Sequence, residues 1–318
     1  MSDTVTPPPI LSIVIVNWNT GALVRDCLAT IARETTQVPY EIIVVDNAST
    51  DGSVELLRRE YPAIQLISAQ GNIGYAAGNN LALPRARGKY VALLNPDTLI
   101  HDRALERLVG ALERTPRAGA VGPALRHPQG RYAIRNGGWQ PTLGTIMAHY
   151  AGLSRLSAER IHGVHLTNDH RQRLGWLSGA CLVVRRATIA AAGPLHEGWF
   201  LYAEDVEWCD RITRAGWELW YEPDAIVVHL DRQSTGQRGG AFSTLWARGL
   251  REHYRRRTSA GPLRLLIFDT MLAGGILTRA LLYLVRATDH RQRNLWLSEA
   301  HSFSRAALMI LRLPKSKR

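Results

Sequence analysis

The sequence predicts an α/β fold on a mostly parallel sheet, and three observations carry that prediction. Short apolar runs alternate with helical repeats between residues 11 and 114, the order of βαβ units with helices on both sheet faces. The runs are continuous rather than alternating, which marks strands buried on both sides. The 318 residues are 46% hydrophobic and 21% charged, enough for one large core and an appendage.

Leu11–Val16 is β-branched and short, so it reads as a buried strand. Gly21–Glu34 places Leu23, Cys27, Leu28 and Ile31 at helical spacing. Glu41–Val45 reads as strand, Val54–Glu60 as helix, Ile64–Ile67 as strand, Tyr75–Ala86 as helix. Tyr90–Leu94 is a fourth strand and Arg103–Arg114 a further helix. The pattern then loosens. Ala120–Gly138 is broken by Gly and Pro, and Gln140–His170 is irregular. Trp176–Val184 is a strand candidate, Val206–Ala215 a helix, and Trp217–Tyr221 and Ala225–His229 two short strands.

The most apolar segment runs from Pro262 to Arg286, interrupted by Arg264, Asp269 and Arg279. At about 100° per residue these charges and Arg286 fall within roughly a 140° arc. This predicts an amphipathic helix lying in a membrane interface rather than spanning it. The alternative is a helix packed on the rest of the protein or on a second copy in a homodimer. Leu295–Leu313 reads as a second amphipathic helix before the basic tail Lys315–Arg318.

The net charge of +12 is concentrated at one end. Arg248–Arg318 holds 15 Lys/Arg against 4 Asp/Glu, while the preceding 247 residues are nearly balanced. Such asymmetry points to a polyanionic partner. Because the charge lies beside long apolar helices and not in an aromatic-interleaved groove, an anionic membrane surface fits better than nucleic acid. Three scattered cysteines without CxxC spacing predict a reduced, cytosolic compartment and no zinc site. Residues 1–9 are polar and Pro-rich and do not read as a signal peptide.

Four blocks carry candidate chemistry. Asp46 ends a buried strand and opens an Asn-Ala-Ser-Thr-Asp-Gly turn, where a carboxylate can accept the imide N–H of a pyrimidine base; such a turn is also self-stabilising. Asn72–Asn80 combines two glycines with three amides before a helix, so Asn72, Gly74 and Asn79 are candidates for close contact with a phosphate. It matches neither the dinucleotide nor the P-loop spacing. Asn95-Pro96-Asp97 presents an amide and a carboxylate where a strand ends. There Asp97 could hold Mg2+ or Mn2+ against a diphosphate, although Asn-Pro-Asp is also a good turn. Glu204 and Asp205 adjoin each other in aromatic surroundings, and burial with mutual repulsion raises a carboxylate pKa toward general-base range. Asp205 opens a helical repeat and is the expected base, leaving Glu204 to orient or bind the acceptor. His229 closes a strand and can offer a neutral nitrogen to the same metal. Trp176, Trp199 and Trp208 suit either sugar stacking or the core.

The ordered set VVDNASTDGS, NIGYAAGNN, LLNPD, LSGACLVVRR and FLYAEDVEW resembles the inverting family 2 glycosyltransferases of the GT-A fold, above all bacterial rhamnosyltransferase-like members acting on lipid-linked acceptors. The likeness covers roughly Leu11 to Ser234. It implies a Rossmann-like GT-A sheet in which Val16 and Asn17 line the nucleotide base and Asp46 bonds it. Asn95 and Asp97 take the metal-binding DxD position, Asp205 the base and His229 a late metal contact. Asn95 departs from the first Asp of that motif and leaves one formal charge there.

The resulting expectation is a disordered 1–9, a catalytic domain over 10–245 (nucleotide half 10–100, acceptor half 101–245) and a basic membrane-associating region over 246–318. The expected activity is metal-dependent inverting transfer, with dTDP-β-L-rhamnose favoured as donor and a polyprenyl-diphosphate-linked saccharide as acceptor. The expected place is the inner face of the cell membrane. The alternatives are a UDP-sugar donor (galactofuranose, glucose or an amino sugar) or a non-catalytic basic membrane module.

Overall fold

The computed structural model describes residues 8–129, 136–150, 153, 170–199, 202–230, 244–288 and 293–313. The expected disordered N-terminus (but for residues 8 and 9) and the basic tail lie outside them. Two compact units emerge. One holds Met1–Gly137, Asp169–Phe200 and Glu204–Thr235, the other Gly138–Asn168, Leu201–Ala203 and Gly236–Arg318.

The first unit opens with β1 (Leu11–Asn17), all seven residues buried, then α1 (Gly21–Glu34), β2 (Tyr40–Asp46), α2 (Ser53–Glu60) and β3 (Gln65–Ser68). After α3 (Gly74–Ala82) the chain tightens into a 3-10 turn at Leu83–Arg85. The helix expected to reach Ala86 stops there because Pro84 has no N–H to continue the ladder. β4 (Tyr90–Leu94), again wholly buried, and the three-residue β5 (Thr98–Ile100) lead into α4 (Ala104–Arg114).

β6 (Ala118–Arg126) is a nine-residue strand running through Gly119, Gly122 and Pro123, where only broken apolar stretches were expected. Pro123 is accommodated because β11 (Glu218–His229) shifts register opposite it, between Glu222 and Ile226. A bulge removes the need for its missing N–H. The same bulge turns the two short strands expected at 217–229 into one. Between β6 and β11 the chain forms β7 (Gly137–Gly138), α5 (Leu143–Tyr150), β8 (Gln172–Leu174), β9 (Trp176–Leu177), β10 (Cys181–Arg185), α6 (Arg186–Ala192) and α7 (Glu204–Arg214).

The main sheet runs β3-β2-β1-β4-β10-β6-β11-β5, with β8 beside β11. Its β3-β2-β1-β4 half is parallel as expected. β10 enters antiparallel between β4 and β6, and β5 closes antiparallel on β11. Ile13, Ile15, Leu28, Leu94, Leu108 and Val183 belong to one continuous core. All three cysteines are buried and free, as their spacing implied.

The second unit contains α5 and three long helices, α8 (Thr244–Thr258), α9 (Pro262–Arg286) and α10 (Arg293–Arg312). Trp246, Leu250, Phe268, Leu272, Ile276, Phe303 and Ile310 form its core, and Tyr254 stacks on Phe268 with centroids 3.9 Å apart. Here the sequence reading of α9 needs correction. Asp269 is not on a water-facing charged arc. It is fully buried, and Arg251 of α8, itself buried, donates to it over 2.7 Å. The outward face of α9 is instead apolar, with Leu263, Leu281 and Val285 exposed by 70%, 62% and 66%. A carboxylate with a guanidinium partner on another helix can sit inside, so the arc of charges does not define the wet face.

Candidate active site

The parallel strand ends gather the first cluster. The register Asn17↔Asp46 sets these residues side by side at the carboxyl ends of β1 and β2, the edge where α/β sheets bind ligands. Asn17 Nδ2 donates to Asp46 Oδ1 at 2.8 Å and to Ser49 Oγ at 3.0 Å, while Asp46 Oδ2 accepts the Ser49 N–H at 2.9 Å. Asp46 is buried, and its carboxylate orders the turn that follows. Asn47 Nδ2 donates to the Gly74 carbonyl at 3.1 Å, and Asn72 Oδ1 accepts the Gly74 N–H at 3.1 Å. Gly74 itself has φ 85, a left-handed conformation open to glycine at no steric cost. Val16 lies under α3, where a Cβ on Gly78 would come within 2.8 Å of it. Asn79 is fully buried, and its Nδ2 donates back to the Tyr75 carbonyl at 2.9 Å.

The second cluster sits on the turn between β4 and β5. The Asn95 N–H donates to the Ala180 carbonyl at 2.9 Å, and Thr98 Oγ1 donates to the Asn95 carbonyl at 2.6 Å. The antiparallel register His229↔Thr98 carries the imidazole to this turn. His229 Nε2 lies 3.2 Å from Asp97 Oδ1 and 3.5 Å from Asn95 Nδ2. Asp97 Oδ1 is buried yet makes no hydrogen bond of good geometry. A buried carboxylate oxygen in that state is costly unless something compensates it, and a divalent cation shared with the imidazole would do so. Asp97, His229 and the Asn95 amide thus suit an ion that completes its shell with substrate phosphate. Cys27 lies beneath the turn with its thiol 3.7 Å from Thr98 Oγ1, and burial pushes that thiol up to about 12.

The third cluster is the acid pair. α7 starts at Glu204, two residues before the expected Val206, so both carboxylates occupy its first turn, where the helix dipole favours them. Asp205 Oδ2 accepts the Gly179 N–H at 3.0 Å and Oδ1 the Val206 N–H at 2.8 Å. Glu204 is buried, with Oε2 lacking a hydrogen bond. Burial first, and the Asp205 charge second, push its carboxyl well above the usual range. Backbone joins the clusters: Ala180, bonded to Asn95, follows Gly179, bonded to Asp205.

Residues 12–161 match the family described as glycosyl transferase family 2. The N-acetylglucosaminyl-diphospho-decaprenol L-rhamnosyltransferase of Mycobacterium tuberculosis is 30% identical over 247 residues, spanning 72% of this chain and 78% of that one. The chain belongs to glycosyl transferase family 2. Glycosyltransferase AglE of Haloferax volcanii is 24% identical over 70% of this glycosyltransferase and 67% of its own length. In fold, it is similar to a mannosyltransferase from Pyrobaculum calidifontis, solved with GDP-Man and Mn2+ (TM-score 0.60, 20% identity, covering 96% of this chain and 88% of that one). GalNAc-T7, solved with UDP, GalNAc and Mn2+, aligns at TM-score 0.58 and 15% identity over 94% of this chain and 56% of that one. The architecture is GT-A.

Two features of this glycosyltransferase escaped the sequence reading. Ser49, whose hydroxyl and N–H tie Asn17 to Asp46, looked like a plain turn residue. Tyr75 reads only as the start of a helix, yet its hydroxyl donates to the Gly179 carbonyl at 2.6 Å. Of the three tryptophans weighed as sugar platforms, Trp176, Trp199 and Trp208 are all buried, and Trp208 Nε1 donates to the Gly193 carbonyl.

Proposed function

We propose that this glycosyltransferase transfers L-rhamnose from dTDP-β-L-rhamnose, with inversion, to a polyprenyl-diphosphate-linked saccharide. The observation that carries the reading is the acid pair at the start of α7, one carboxylate held by Gly179 and the other buried and raised. Environments that separate two adjacent carboxyl groups assign the base and its partner. Asp205 takes the proton of the acceptor hydroxyl as that oxygen bonds the anomeric carbon. The carbon–oxygen bond to the diphosphate breaks, and the leaving group keeps the electron pair. Attack from the opposite face turns a β-L-rhamnosyl donor into an α-L-rhamnoside. Glu204, beside it, orients or binds the acceptor.

Asp97, His229 and Asn95 would hold a divalent cation, Mg2+ or Mn2+, which when bound neutralises charge on the departing diphosphate. The Asn17–Asp46–Ser49 cluster and the Asn72–Gly74 loop take the nucleotide. The rhamnosyl group and the polyprenyl-linked acceptor are supported by the likeness to the mycobacterial N-acetylglucosaminyl-diphospho-decaprenol L-rhamnosyltransferase. Calorimetric titration with dTDP and UDP, each with and without Mn2+, tests the donor nucleotide and the metal. Mn2+-enhanced binding that favours dTDP is expected, and UDP preference would overturn the rhamnosyl donor. Asp97→Ala should weaken the Mn2+-supported binding by at least about tenfold, since even outer-shell partners of a metal are worth that much.

The enzyme meets its lipid-linked acceptor at an anionic membrane surface on the inner face of the cell membrane. Support comes from the exposed leucines and Val285 of α9, the exposed Leu308 and Leu311 of α10, and the C-terminal excess of arginine. α9 is long and apolar enough to cross a membrane, but its buried Asp269–Arg251 pair favours lying at the interface. Full-length protein should float with vesicles containing anionic lipid and less with neutral ones, and Leu281→Glu with Val285→Glu should abolish flotation. Equal flotation of this variant would exclude α9 as the docking face.

A further inference from the structure

We propose that Tyr75 is a positioning residue for Asp205, acting through the backbone of Gly179. The inference rests on the reading of Asp205 as the base. The Tyr75 hydroxyl donates to the Gly179 carbonyl at 2.6 Å, and the Gly179 N–H donates to Asp205 Oδ2 at 3.0 Å. One glycine therefore receives a hydrogen bond at its oxygen and passes one on from the adjoining residue boundary to the carboxylate. The fit leaves no slack. A Cβ on Gly179 would stand 3.3 Å from the Tyr75 hydroxyl oxygen, 3.4 Å from its ring and 3.5 Å from Asp205 Cβ.

The tyrosine stays a donor across the working pH range. Burial, then the charges of Glu204 and Asp205, push its phenol well above the usual value. The phenol's bond to the carbonyl anchors the Gly179 backbone between Tyr75 and Asp205, and so the point from which the Gly179 N–H reaches the carboxylate. That N–H stabilises the ionised carboxylate. Tyr75 also directly follows Gly74, whose N–H and carbonyl are gripped by Asn72 and Asn47. The loop assigned to the donor and the strap on the base are thus fastened by neighbouring residues of α3.

The test compares the kcat–pH profile and nucleotide affinity of Tyr75→Phe with those of wild type and Asp205→Asn. The titratable groups facing Asp205 are Glu204 beside it, Tyr75 across from it and Cys209 one turn on. Phenylalanine keeps the ring and removes only the donor. A roughly five- to tenfold fall in kcat is expected, the worth of one hydrogen bond. The acidic limb should move to higher pH, while dTDP affinity in Mn2+ stays unchanged. Wild-type kcat with an unmoved limb overturns the proposal, and so does a fall in kcat without a limb shift, which marks simple loss of packing. Wild-type turnover in Asp205→Asn is a separate result that removes Asp205 as base and the proposal with it.

Discussion

Asp205→Asn is expected to lower kcat by roughly 10²–10⁴-fold, the range for a positioned general base. The amide keeps an oxygen for the Gly179 N–H, which now bonds the carboxylate at 3.0 Å, and gives up only the second acceptor that meets the Val206 N–H at 2.8 Å. What disappears is the capacity to take a proton as the acceptor oxygen attacks. Nucleotide affinity should stay at the wild-type value, because Asn17, Asp46 and Asn72 lie on other elements. Initial rates at saturating donor, set beside calorimetric dissociation constants, measure the two effects separately. Turnover within a few-fold of wild type would eliminate the base assignment. A parallel loss of nucleotide affinity would instead implicate the fold of the α7 start.

The second large effect belongs to the helical unit. Arg251→Ala leaves the fully buried Asp269 without the guanidinium that bonds it at 2.7 Å, and such uncompensated charge destabilises by about 3–5 kcal/mol. That is a large share of the stability of an ordinary domain. Replacing both groups, Arg251→Met with Asp269→Leu, should return most of the loss, since an apolar pair of similar volume is often neutral or better at such a site. Denaturant unfolding followed by tryptophan fluorescence and far-UV circular dichroism measures both variants. If the single variant unfolds at the wild-type midpoint, the pair is not the buried lock described here.

The contrast between the two units explains what the sequence could convey. β1, β2 and β4 were legible because a strand covered on both faces must be apolar throughout, and turn residues bracket each one. The site turns were legible because Asn95-Pro96-Asp97 and Glu204-Asp205 are local signals. β5 was not, since three residues carry no periodicity, and its partner His229 lies 129 positions beyond its last residue. β6 was hidden by Pro123, whose tolerance depends on a bulge in β11. The face of α9 was misread for a similar reason. Asp269 is polar by composition and interior by partnership, and Arg251 sits 18 residues earlier on another helix. Tyr75 belongs with these cases, its target Gly179 being 104 residues away.

The antiparallel insertion of β10 between β4 and β6 bears on biosynthesis. As the chain is made, β1 to β4 can pair at once, but the free edge of β4 must wait for residues 181–185 to be synthesised. Until then a wholly apolar strand presents an open ladder, the arrangement most prone to pairing with another chain. A fragment ending at residue 161, where the family match stops, would keep that edge bare permanently. The stretch that matches the family description, residues 12–161, is therefore shorter than the smallest piece that closes its own sheet.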